Sequence, residues 1–164
     1  YALNKYIPSL LTTLPILIFA SYLATPITAC SFYCSFCWLR VRTNGIHAKT
    51  VVGCFCSSLV CVFVFMGILY RLLTACLIQV FLLLSVIIIW FLAPFNHPNM
   101  HLTDTEKTAC MNSARTRLLL LILGAGVLQK LNSQEAFSGI VLGVSMTALL
   151  LALAYLRKGE GGEK

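Results

Sequence analysis

Leu72-Leu-Thr-Ala-Cys-Leu-Ile-Gln-Val-Phe-Leu-Leu-Leu-Ser-Val-Ile-Ile-Ile-Trp-Phe-Leu-Ala93 carries no charged residue. As one helix this stretch rises about 33 Å, the thickness of a bilayer hydrocarbon core. Val51 to Tyr70 and Phe137 to Leu156 are apolar runs of similar length. Leu118 to Gln129 is shorter, and a helix there can extend back through Ala114. From Ser9 to Leu39 the sequence is apolar but holds Pro15 and Pro26, and proline removes a backbone donor. That region reads as two short spans, about 9–24 and 27–39, or as one long kinked span. Lys5 ahead of an apolar run suggests a signal peptide, but the prolines and the apolar sequence beyond favour a retained span. The expected fold is all-α: a polytopic transmembrane helical bundle of about six segments, the first two short or kinked.

Composition agrees. Of 164 residues, 59% are apolar and 10% are charged, with a mean hydropathy of +0.90. Soluble domains are about 25% charged, so an ordinary cytosolic domain and a disordered chain are both excluded. The expected organisation is one integral membrane domain over residues 1–158 and a glycine-rich flexible tail over 159–164. The net charge is +7. The basic residues sit in the breaks between apolar runs rather than along one helix face, which points to topology rather than to nucleic acid. Six crossings place Lys5, Arg40, Arg42, Lys49, Lys107, Arg115, Arg117, Arg157, Lys158 and Lys164 on one face and only Arg71 and Lys130 on the other. Both termini are therefore expected in the cytoplasm.

Of eight cysteines, most lie in or beside apolar stretches, where a thiol packs as a small hydrophobe. Cys34 and Cys37 form a CxxC, but no second ligand pair accompanies it, so no metal site and no cofactor is expected. HExxH, GxSxG and Walker motifs are absent. Gly139 and Gly143 form a GxxxG that permits close helix contact, within the chain or with a second copy. Gly124 and Gly126 are expected to add further small-residue contact.

Two polar loops remain, Arg40 to Thr50 and Pro94 to about Arg117. In the second, Thr103-Asp-Thr-Glu106 reads as a capping box that starts a helix near Asp104. In the first, His47 precedes Cys54 by seven residues. On one continuous helix that spacing is about 10.5 Å, too far for proton transfer. They can meet only if the helix starts between them, with Thr50 as cap and Gly45 letting the loop fold back. Cys54 would then lie near a helix N-terminus, where unpaired N–H groups favour a thiolate, and an adjacent imidazole would activate it. Packing for the Cys and an interfacial role for the His are the ordinary alternatives. Asn44, Asn96 and Asn99 are the available orienters of His47.

The stretch Arg40-Val-Arg-Thr-Asn-Gly-Ile-His47-Ala-Lys-Thr-Val-Val-Gly-Cys54 resembles the signature of the accessory gene regulator protein B (AgrB) family, membrane cysteine endopeptidases of bacterial quorum sensing. Arg40, Gly45, His47, Ala48 and Cys54 match the family pattern, and Asn44 stands where its first glycine would be. Ala93 to Lys107 is similar to the family's second cytoplasmic loop. The segment that precedes the first span in the family is mostly missing from this sequence, and a chain without it is expected to fold but to process poorly.

The resemblance implies that Cys54 is the nucleophile and His47 the general base and acid. The substrate is a small AgrD-like precursor peptide with an amphipathic helix, a signal segment and an acidic tail. The tail is cut away on the cytoplasmic face of the bacterial membrane, and the thioester closes onto the precursor's own thiol or hydroxyl. Arg40, Asn44, Gly45, Lys49, Lys107, Arg115 and Arg117 are the candidate substrate-binding residues. The implied partners are the precursor, membrane lipids and a second copy in a homodimer, with no nucleic acid. The alternative is a non-catalytic membrane transporter, assembly subunit or peptide-binding protein. Gln79 is nearly the only polar group within the clean spans, which gives a transport path little to work with.

Overall fold

The computed structural model describes residues 2–43, 51–72, 75–95 and 103–160. Among these residues the chain is helical throughout and has no strand. We number six helices. They are α1 (Ala2–Leu23), α2 (Pro26–Thr43), α3, α4 (Ala75–Leu92), α5 (Asp104–Lys130) and α6 (Gln134–Glu160). Helix α3 begins as an α-helix over Val51–Val62, widens to π-helical turns over Phe63–Leu69, and closes with the turn Tyr70–Leu72. Three stretches are long and apolar enough to cross a membrane: Phe55–Leu72, Thr105–Lys130 and Gln134–Leu156. Thr13–Leu23 and Cys76–Leu92 are shorter apolar helices.

Local sequence accounts for most boundaries. The ambiguous first region resolves into two helices. Helix α1 runs through Pro15, and the break falls instead at Ala24 and Thr25. There Pro26 takes the first helical position of α2, where its missing N–H costs nothing. The Thr25 hydroxyl caps the new helix, accepting from the Thr28 N–H at 3.3 Å. The capping box is present at α5. Thr103 Oγ1 accepts from the Glu106 N–H, and Glu106 Oε2 accepts from the Thr103 N–H at 3.0 Å. Helices α5 and α6 are joined by a tight turn in which Asn132 has φ 56°. Asparagine tolerates this left-handed conformation. It lets the Ser133 N–H reach back to Leu128 O at 3.0 Å and the Asn132 N–H to Gln129 O at 3.2 Å, which satisfies two terminal carbonyls.

Helix α6 is the hub of the bundle. Of its span Gln134–Leu156, 61% is buried, against 17% for Phe55–Leu72 and for Thr105–Lys130. Each of the three hydrophobic clusters includes α6 residues. One joins Phe32 of α2, Phe65 and Met66 of α3, and Leu142 and Met146. A second joins Leu39, Ile89, Ala114 and Leu118 to Val144, Ala148 and Leu151. The third joins Ile78 and Ala125 to Phe137 and Val141. The outer surface is strongly apolar: Ile18 is 70% exposed, Phe91 76% and Leu123 67%. Such a surface suits lipid and not water.

The closest helix contact is between α2 and α6. A Cβ added to Gly139 would sit 2.5 Å from the Thr28 carbonyl oxygen and 2.8 Å from Ser31 Cβ. One added to Gly143 would overlap Ser35 Oγ and lie 2.6 Å from the Phe32 carbonyl oxygen. The GxxxG therefore serves packing within the chain. Gly124 and Gly126 do not follow the expectation of small-residue contact: a Cβ at either would meet nothing within 4 Å. Three hydroxyls inside the bundle find partners in it. The Ser85 and Ser145 hydroxyls meet at 2.9 Å between α4 and α6, and Thr147 Oγ1 donates to Gly143 O at 2.9 Å.

Candidate functional site

The roots of the two polar loops converge at one end of the bundle. Helix α2 ends there at Thr43, and the segment leaving α4 arrives there at Ala93 to Phe95. The Phe95 N–H donates to the Thr43 carbonyl at 3.0 Å. The Phe95 ring meets Tyr155 of α6 edge-on, with centroids 5.2 Å apart. Phe95 and Thr43 are both buried, so this junction is closely packed.

Two arginines of α5 tie the same end together. Arg115 Nη2 donates to the Trp90 carbonyl at 3.2 Å, and its guanidinium lies 4.7 Å from the centre of the Trp90 ring. Arg117 Nη1 donates to the Trp38 carbonyl at 2.7 Å and lies 5.3 Å from that ring's centre. Trp90 is in the last turn of α4, where carbonyls lack intrahelical partners, so Arg115 acts as a cap supplied by another helix. Stacking on an aromatic face adds about 0.5–2 kcal/mol, depending on desolvation. Both tryptophans went unnoticed as partners in the sequence. The only signal there was the pairing of two arginines at the edge of an apolar run with two tryptophans at the edges of two others.

The sequence-derived site residues divide into three groups. Arg115 and Arg117 are held as just described. Lys107 is exposed on the first turns of α5, which project past the core as far as Ala109. Arg40 lies in the last turn of α2, half-buried. His47, Asn44, Gly45, Lys49 and the further asparagines Asn96 and Asn99 lie outside the described residues. Cys54 is the fourth described residue of α3. Two hydrogen bonds from Thr103 reach the Glu106 carboxyl at the start of α5. Hydrogen bonds from the Thr103 N–H and hydroxyl hold the Glu106 carboxyl below its ordinary pKa.

A bundle of apolar helices with a strongly apolar outer surface defines an integral membrane protein. The chain belongs to the accessory gene regulator B (AgrB) family, whose sequence model matches residues 1–159. The family serves quorum sensing as a membrane protease that processes an AgrD-like precursor. No curated protein and no solved structure matches the chain.

Proposed function

We propose that the chain is a membrane-embedded cysteine endopeptidase that removes the C-terminal tail of an AgrD-like precursor through Cys54 and His47. The observation that carries this reading is the family match over residues 1–159, which takes in both His47 and Cys54. Cys54 lies on α3, and His47 precedes it by seven residues. One continuous helix would hold the two about 10.5 Å apart, so the proposal requires the chain between them to fold back.

In this mechanism His47 takes the Cys54 thiol proton, and the thiolate attacks the scissile carbonyl carbon. The first-turn N–H groups stabilise the oxyanion. The C–N bond breaks as His47 returns the proton to the leaving amine, and the tail departs with a new amino terminus. The acyl group is left on Cys54 as a thioester. The precursor's own thiol or hydroxyl then attacks, closing a thiolactone or lactone and releasing Cys54. Water must be kept out during that exchange, since hydrolysis would open the ring's precursor irreversibly.

The acidic tail is drawn by the basic loop face. Lys107, exposed on the first turns of α5, Arg40 in the last turn of α2, and Lys49 beyond it are the natural contacts. The ten-to-two distribution of basic residues supports both termini and this face on the cytoplasmic side. A homodimer would use a surface other than the Gly139–Gly143 edge, which α2 occupies. The test is co-expression with the precursor encoded beside the gene, read by mass spectrometry. The unaltered chain is expected to release the tail, and Cys54→Ala and His47→Ala are each expected to leave the precursor whole. Normal tail release by Cys54→Ala would end the proposal.

A further inference from the structure

A groove of about 330 Å³ opens on the side of the bundle between α2, α5 and α6. Cys30, Cys34 and Trp38 line it from α2, Leu121 from α5 and Ile140 from α6. These residues play no part in the proposed cleavage. Cys30 and Cys34 are exposed, one turn apart on one face, and Trp38 continues the same face one turn further on. From Cys30 to Trp38 the groove follows α2 for about 12 Å, against about 15 Å for the hydrocarbon of one leaflet. One end is apolar. The other, near the end of α2, is closed by Trp38 and the Arg117 guanidinium stacked on it.

We infer that this groove seats one acyl chain of an anionic phospholipid, with the lipid phosphate on Arg117. The argument is charge and length together. A cation stands at one end of an apolar slot that runs about 12 Å along α2, most of the depth of one leaflet. Tryptophan at the mouth is the residue that settles at the headgroup boundary. Arg117 gives one donor to the Trp38 carbonyl, and a guanidinium carries five in a fork that suits phosphate. The lining of thiols and small side chains on α2 leaves room that larger residues would fill. A bound lipid here would brace α2 against α5, the two helices that carry Trp38 and Arg117 into the loop-bearing end.

The test uses the full chain in nanodiscs, with Trp90→Phe so that Trp38 is the sole tryptophan. Brominated-chain phosphatidylglycerol or brominated-chain phosphatidylcholine is added at the same mole fraction to unlabelled phosphatidylcholine. Phosphatidylglycerol is expected to quench Trp38 with an apparent enrichment of about tenfold, the size of one charge-assisted contact. Arg117→Gln is expected to erase that preference and Arg117→Lys to keep most of it. Cys34→Phe, which fills the slot, is expected to reduce quenching by both lipids, with helix content by circular dichroism unchanged. Equal quenching by the two lipids in the starting chain would overturn the inference. So would a phosphatidylglycerol preference that survives Cys34→Phe, because the headgroup alone would then be acting. Oxidative Cys30–Cys30 cross-linking between chains, with Trp38 shielded from both lipids, would assign the groove to a second copy instead.

Discussion

Adding a single methyl group at Gly139 or Gly143 tests how closely α2 and α6 approach. In Gly139→Ala the new Cβ falls 2.5 Å from the Thr28 carbonyl oxygen, where ordinary contact begins at 3.4 Å. The obstacle is backbone and cannot rotate aside. The helices must therefore part by about 1 Å, which forfeits a quarter to a half of the dispersion energy along the contact. Overpacking of this kind costs about 1–3 kcal/mol, and the better helix propensity of alanine returns at most about 1 kcal/mol. Gly143→Ala meets Ser35 Oγ and the Phe32 carbonyl, so Ser35→Ala relieves the first obstacle and leaves the second. Gly124→Ala provides the control, with nothing within 4 Å of its Cβ. The assay is unfolding by SDS in mixed micelles, followed by circular dichroism. Gly139→Ala and Gly143→Ala are expected to unfold about 1–2 kcal/mol more easily than the parent, and Gly124→Ala no more easily. If all three alanine variants unfold at the same SDS fraction, the reasoning from close approach fails.

Other expectations follow from the contacts at the loop-bearing end. Arg115→Lys is expected to cost about 1 kcal/mol in the same unfolding assay, because lysine cannot both stack on Trp90 and reach its carbonyl in one plane. Ser85→Ala, which removes the meeting with Ser145, is expected to cost about 0.6 kcal/mol, the mean for interhelical hydrogen bonds in membranes. Thr103→Ala removes the cap of α5, and amide exchange of the Thr105 to Lys107 N–H groups is expected to speed several-fold while Leu118 and Leu121 stay protected. The pH dependence at the same cap has a definite sign. The folded pKa of Glu106 is lowered, so its contribution is present above the ordinary carboxylate pKa and fades as pH falls through the folded value. Exchange of these amides, corrected for intrinsic rates, should speed up in the parent as pH falls through the folded Glu106 value, below the ordinary carboxylate range, and show no such step in Glu106→Gln.

The helices themselves are legible from local sequence. Span lengths follow from uncharged runs, and the Thr103 to Glu106 box and the Pro26 start of α2 are local signals that involve neighbours three or four residues apart. Chemistry could be proposed for the dyad from spacing alone, although the loop that carries His47 lies outside the described residues. Which faces meet depends on contacts between residues far apart in the chain. In lipid, a buried face and a lipid-exposed face are both apolar, so helices that are apolar all round do not declare their orientation. That is why two glycine pairs looked alike in the sequence, yet Gly139 and Gly143 press on α2 while Gly124 and Gly126 face open space. It is also why Arg115 and Arg117 read as a basic patch. The tryptophans they hold lie 25 and 79 residues away along the chain, and only folding brings those carbonyls to the guanidiniums.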